Sequence, residues 1–564
     1  MEKKFLALKP YLEKIRSHCD GLDKFELLDL LCQTAQEISA EERSDFLAKL
    51  GIMPTGKGGG RGTRSQNKDI LARTESLLED IIALHESVDD GSYYEEHCEE
   101  DYDDEFFGIS EKQKQRLEHL LADADSLFLA GELDIAQQVY EKLTELILHG
   151  EGLLYSVNLD EIEVNWRETL ARYCRCVYET SPNEKRAKRM RLALGIDRQI
   201  FSNSVDISED ILPSLRDVFD ARAGEMAGWD DFLKQLQKNL SKAVSSRGIL
   251  LHLEAVQWLD GLPGLAKEVR KKQAPVGYLF WLEQLRANEA WGELAQAAQE
   301  ALQAMPLDSL RAQAANQLCL AGERVSDTGL VMLGKREQFF SQPNDRHLSG
   351  LLQEALRQKV VELELRRVLN FLATRPLKER SVGDKMLELK TLLLLGKLDE
   401  VYGKISKKVA IGWSGEEQPS GAVYAAILLV LSKGNLSAAT IHALFNRYTC
   451  GRSGSDVFLC EEMKKSLVKI SYTTFQEQNW LLFVERITAN RVEHIVSNKY
   501  RKGYTRAAEA LCGYMECLKL HGQQDKAAAF LSSHRDEKYK RYPAFRQEVD
   551  TVIKNSPLLA KMRE

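Results

Sequence analysis

Four glycines organise most of this chain. Laid on one another, Gly131, Gly396, Gly434 and Gly522 carry apolar or small residues at the same offsets on both sides. Seven and four positions upstream stand Ala124 and Leu127, Leu389 and Leu392, Ile427 and Val430, and Met515 and Leu518. Five and nine positions downstream stand Ala136 and Tyr140, Val401 and Ile405, Ala439 and Ala443, and Ala527 and Leu531. A spacing of three to four residues places side chains on one helix face, so each glycine reads as the turn of an α-hairpin. Glycine suits that turn because it takes the left-handed backbone without steric cost. A small residue at the fifth position lets the returning helix approach closely. The stretch from Trp291 to Ala304, with Leu294, Ala298 and Ala301, has the returning-helix spacing without a glycine before it.

A chain of 564 residues is too long for a single compact core, and an elongated array of such hairpins meets that limit. Only 12 prolines interrupt it, and the abundant Leu, Ala, Glu, Lys, Gln and Arg lose little entropy in helices. Alternating β-branched runs are scarce, so the fold class expected is all-α: an irregular helical-repeat solenoid with a small N-terminal helical module. The run from Gly131 to Leu143, Gly-x-Leu-x-x-Ala-x-x-x-Tyr-x-x-Leu, resembles the second half of a tetratricopeptide repeat, and Gly396 and Gly434 lie 38 residues apart, near that family's period. The resemblance implies stacked helix pairs with a concave ligand surface. A second resemblance, carried by LDKFELLDLLCQTA near the start and KAAAFLSSHRDEKYKRYPAFRQEV near the end, is to the helical regions that accompany bacterial SWIM zinc fingers. The finger's own ligand pattern is absent.

Boundaries follow from composition. Residues 1–51 read as the N-terminal module of short helices, and residues 52–68, PTGKGGGRGTRSQNK at their heart, as a Gly-rich basic linker. A helix is expected over 69–88. Ten of the 17 residues from Asp89 to Glu105 are acidic, so 89–109 reads as a self-repelling acidic linker, followed by the array over 110–564.

No catalytic spacing is present: HExxH, GxSxG, GxGxxG and paired CxxC are all missing, so neither an enzyme nor a cofactor is expected. Cys174 and Cys176 stand two apart, which on a helix points their thiols about 200° from each other, so a metal is not expected there. Lys57 precedes the glycines of GKGGGRGT instead of following them, which excludes a phosphate loop. The longest apolar run, Ala422 to Leu431, is half of what a bilayer requires. With ten scattered cysteines and no leader-like N-terminus, a cytoplasmic location is expected.

The expected function is therefore a scaffold or adaptor that binds a protein or peptide partner. The alternative is a nucleic-acid-associated accessory protein. The net charge of −8 opposes that alternative, but residues 484–564 carry a balance of +6, and cations interleave with rings there. The candidate nucleic-acid contacts are Arg501, Lys502, Tyr504, Lys540, Arg541 and Tyr542.

Overall fold

The computed structural model describes residues 8–19, 62–90, 109–149, 159–196, 211–222, 224–375, 381–405, 411, 418–450 and 457–560. The N-terminal module beyond its first helix, the linker before residue 62 and the acidic segment from 91 to 108 lie outside them. Among the described residues there are 24 α-helices, a few single 3-10 or π turns, and no strand. The chain divides into two compact units, Met1–Lys272 and Gln273–Glu564.

The first unit contains α1 (Leu8–Cys19), α2 (Gly62–Asp89), α3 (Glu111–Ala130), α4 (Leu133–His149), α5 (Trp166–Thr180), α6 (Asn183–Ala193), α7 (Leu215–Asp220), α8 (Trp229–Leu240) and α9 (Ser246–Lys272). Helix α2 begins at Gly62, seven residues before the expected start, because nothing between Gly62 and Lys68 breaks a helix once the run of glycines has ended. Ser110 caps α3 reciprocally with Gln113, and Gly131, at φ 88°, turns the chain into α4. Helices α2 to α5 enclose one core, with Leu77, Leu120, Phe128, Ala136 and Tyr140 buried. Helices α5 to α9 enclose a second, centred on Tyr178, Trp229 and Phe232, whose rings pack edge-on or stacked at 5.2 to 5.4 Å. Helix α9 is broken at Gly261, where φ is 67° two residues before Pro263.

The second unit is where the repeat is regular. It comprises α10 (Pro275–Ala287), α11 (Trp291–Ala304), α12 (Ser309–Arg324), α13 (Thr328–Ser341), α14 (Asp345–Arg357), α15 (Val361–Thr374), α16 (Val382–Leu394) and α17 (Leu398–Ile405). It continues through α18 (Pro419–Leu431), α19 (Ala439–Cys450), α20 (Val457–Val468), α21 (Thr474–Ser497), α22 (Tyr504–Leu520), α23 (Gln524–Ser532) and α24 (Pro543–Asn555). Alternate helices start at residues 275, 309, 345, 382 and 419, a period of 34 to 37 residues. Asp308, Asn344 and Ser381 cap three of these starts by accepting from the third amide of the helix.

The hairpin turns are one motif repeated. The N–H of a left-handed residue donates to the carbonyl three back, while the next N–H donates to the carbonyl five back, the Schellman arrangement; at the last turn the following residue, Gly434, is left-handed as well. The left-handed residue is Glu289, Ser326, Lys359, Gly396 and Lys433 in successive hairpins, at φ of 55°, 59°, 59°, 71° and 49°. Only one of the five is a glycine. This corrects the frame at Gly434: the turn residue is Lys433, so the buried small residue five positions on is Ala438, and Ala439 is exposed.

After α17 the array closes around α18. Every residue from Gly421 to Leu431 is buried, covered by α16, α17, α19, α20, α21 and α22. The apolar run is thus a central core helix, and no helix among the described residues is long and apolar enough to cross a membrane.

Candidate functional site

Repeat-signature residues take structural places. Ala136, Tyr140, Val401 and Ala527 are buried, and Gly131, Gly396 and Gly522 hold left-handed turns. Tyr140 donates to Asp125 on α3, and Arg172 on α5 pairs with the same carboxylate and with Glu168 at 2.5 Å. Burial, reinforced by Asp125, pushes the Tyr140 hydroxyl far above its ordinary range, so it stays a neutral donor. This network is a clamp across three helices. Cys174 and Cys176 point into different cores, the first among α5 to α9 and the second among α2 to α5, as their spacing on a helix dictates. Burial pushes the Cys174 thiol up to about 12 and the Cys176 thiol higher still. Among the described residues no three His, Cys, Asp or Glu side chains converge to hold a metal ion.

The basic aromatic segments do meet, though not as a stacking surface. Tyr504 opens α22 and is buried, its ring 6.0 Å from Phe545 at a steep angle. Tyr542 is half-buried against Tyr539, at 5.9 Å. The rings of both segments are therefore spent on the core. Arg501, Lys502, Lys540 and Arg541 remain exposed, with no ion-pair partner among the described residues. Phosphate neutralisation is open to these four cations, whereas base stacking by Tyr504 is not.

A groove that the sequence reading did not single out lies between α12, α13 and α14. Its volume is about 820 Å³. Six side-chain amides line it: Gln313, Asn316 and Gln317 from α12, Gln338 from α13, Gln342 after it, and Gln353 from α14. Lys335 and Arg346 are its two cations, and none of its lining residues is a carboxylate. The stem of Lys335 runs past Gly350, where an added Cβ would lie 3.7 Å from the lysine Cδ. Neither Lys335 nor Arg346 has an ion-pair partner among the described residues. Gln338 is buried and donates to Asn316 Oδ1 at 2.9 Å, which fixes one amide, while Gln317 Oε1 is buried and accepts nothing among the described residues.

The walls are rigid. Arg311, at the start of α12, donates to the Leu302 carbonyl at 2.9 Å and the Ser341 hydroxyl at 3.2 Å, and pairs with Glu337 at 2.7 Å. Gly322 and Gly334 let α12 and α13 touch: a Cβ at Gly334 would stand 2.5 Å from Cys319 Sγ. His347 is held by the Gln342 carbonyl at 2.7 Å. The groove residues were invisible as a group in the sequence because exposed Gln and Asn on a helix look like any solvated face. The signal available was negative, namely that α12 has no acidic residue on the side that carries Gln313 and Asn316.

No family model, no curated protein and no solved structure matches this chain.

Proposed function

We propose that this protein is a scaffold or adaptor that holds an extended peptide or protein segment in the groove between α12, α13 and α14. The observation that carries the reading is a groove of about 820 Å³ lined by six amides and by two cations, Lys335 and Arg346, with no ion-pair partner and no lining carboxylate among the described residues. An extended peptide presents alternating N–H and C=O groups, and side-chain amides offer both a donor and an acceptor to match them. Lys335 and Arg346 would take an acidic side chain or terminal carboxylate, with charge setting orientation and on-rate. The volume lies in the range of ligand pockets, and its rigid walls limit the ordering cost of binding. The described cysteines are all free thiols, which fits a reducing compartment such as the cytoplasm.

Selection of a displayed random-peptide library against the full chain tests this. Clones rich in Asp or Glu should enrich, and their affinity should fall about tenfold or more when Lys335 and Arg346 are both changed to Glu. Failure to enrich, or binding indifferent to those substitutions, overturns the reading. The second reading, nucleic-acid association, rests on the four exposed cations Arg501, Lys502, Lys540 and Arg541, which have no ion-pair partner among the described residues. It predicts binding of single-stranded RNA that falls linearly with log salt and loses slope when those cations are removed.

A further inference from the structure

Helix α19 ends on Cys450, and Cys460 stands in the first turn of α20, whose packing on α19 brings the two thiols together. The Thr449 hydroxyl lies between the two thiols, 3.5 Å from Cys450 Sγ and 3.8 Å from Cys460 Sγ. Cys460 donates its S–H to Asn446 Oδ1, one turn back on α19, at 3.1 Å. Both thiols are largely covered: Cys450 keeps 8% of its surface and Cys460 keeps 3%. A small oxidant is therefore the kind that reaches them, and a bulky one is excluded.

The electrostatics of the pair are asymmetric. The neighbouring Cys450 thiol, with Lys464 on the same helix as Cys460 adding its charge, holds the Cys460 thiol below its ordinary range against the opposing effect of burial. The first-turn position on α20 acts in the same sense, because the helix N-terminus favours negative charge. The neighbouring Cys460 and burial hold Cys450 as a thiol. The other described cysteines show the contrast: burial pushes Cys319 up to about 11 and Cys517 to about 12.

We propose that Cys450 and Cys460 are an oxidisable dithiol that closes to a disulfide between α19 and α20 when a peroxide reaches it. The Cys460 thiolate attacks one peroxide oxygen, the O–O bond breaks, and protonation of the leaving oxygen yields Cys460 sulfenic acid and water for hydrogen peroxide. Cys450 sulfur then attacks the Cys460 sulfur, the S–O bond breaks, and the Cys450 proton leaves with the hydroxyl as a second water. The two thiols together lose two electrons, one from each sulfur, to form one disulfide bond, and one peroxide takes up those two electrons to become two waters. A dithiol reductant reverses the step. The product ties the last residue of α19 to the first turn of α20.

The test treats the full-length chain with hydrogen peroxide near neutral pH, blocks free thiols by alkylation and maps the peptides by mass. The expected product is a Cys450–Cys460 cross-link that disappears on reduction. In Cys450→Ser, Cys460 should be recovered as a dimedone adduct of its sulfenic acid; in Cys460→Ser, Cys450 should be recovered as a free thiol. Recovery of both residues as free thiols while other cysteines oxidise overturns the proposal, as does the same product in the two variants. The wild-type chain supplies a readout independent of how the variants fold. The pH midpoint for alkylation of Cys460 should lie below that of an ordinary thiol, near 8.5. A midpoint at or above that value overturns the proposal.

Discussion

Three exposed residues in the array hold a backbone conformation that suits glycine better, and replacing them should stabilise the protein. Glu289, Ser326 and Lys359 sit at φ of 55°, 59° and 59° in the turns after α10, α12 and α14. Their side chains are exposed, and no hydrogen bond or ion pair depends on them among the described residues. A left-handed residue with a Cβ costs about 1 to 2 kcal/mol, and glycine removes that cost. Glycine also gives the unfolded chain more freedom, which takes back about 0.4 to 1 kcal/mol. Each of Glu289→Gly, Ser326→Gly and Lys359→Gly should therefore gain about 0.5 to 1 kcal/mol. The sites lie in separate turns, so the triple variant should gain about 2 kcal/mol. Gly396→Ala is the reciprocal control: the nearest atom to its new Cβ would be 3.9 Å away, so its loss, about 1 kcal/mol, is backbone strain alone. Equilibrium urea unfolding of the full chain, followed by far-UV circular dichroism, reads these changes as midpoint shifts at constant slope. An unchanged or lowered midpoint in the triple variant, together with an unaffected Gly396→Ala, would refute the reasoning.

Two further outcomes follow from buried carboxyls. Glu364 on α15 is 2% exposed on its side chain and accepts two bonds of 2.8 Å from Arg336, with Arg367 beside it. Burial alone would raise this carboxyl, but the hydrogen bonds and charge of Arg336, then Arg367, hold it below the usual range. Glu364→Gln should cost about 3 kcal/mol in urea unfolding at neutral pH. The contribution of Glu364 is present above the ordinary carboxylate range and disappears as pH falls through its lowered value, so the difference between variant and wild type should shrink in acid. Glu254 on α9 is the opposite case: burial pushes it up to about 7, although it accepts from the Leu215 amide at 2.6 Å. The folded state then holds a proton that the unfolded state has released, so stability should fall as pH rises from about 4.5 to 7 and level off above. Glu254→Gln should raise the thermal midpoint at pH 8 and leave it nearly unchanged at pH 5; an equal shift at both would show that the charge is not the cause.

Legibility in the sequence differed between hairpins for a physical reason. At Gly131, Gly396 and Gly522 the turn residue and the flanking apolar offsets agree, and the structure places a left-handed turn at each. At Glu289, Ser326 and Lys359 the turn carries no glycine, because burial of Leu285, Leu294, Ala298, Val331 and Val368 on the adjoining helices holds a turn that costs only about 1 kcal/mol. Three of the five hairpins in the regular 34 to 37 residue period therefore carry no glycine mark. At Gly434 two consecutive residues have positive φ, and the glycine is the second, which displaced the expected register by one.

What the sequence determined by itself was local: helical content, hairpin by hairpin, since apolar spacing of three to four residues and a cap at each start are properties of a few adjacent turns. It also sorted Cys174 from Cys176, because their opposite directions follow from helix geometry alone. What only the tertiary structure decided was which polar faces meet. Gln313, Gln338 and Gln353 are ordinary solvent-side residues of three helices until packing faces them across one groove, and Tyr504 reads as an exposed ring until Phe545 covers it. Cys450 and Cys460 stand close in sequence, yet their contact depends on how α20 packs against α19. Exposed polar side chains carry no periodic signature of their partners, because water satisfies them equally well wherever the chain has not yet folded.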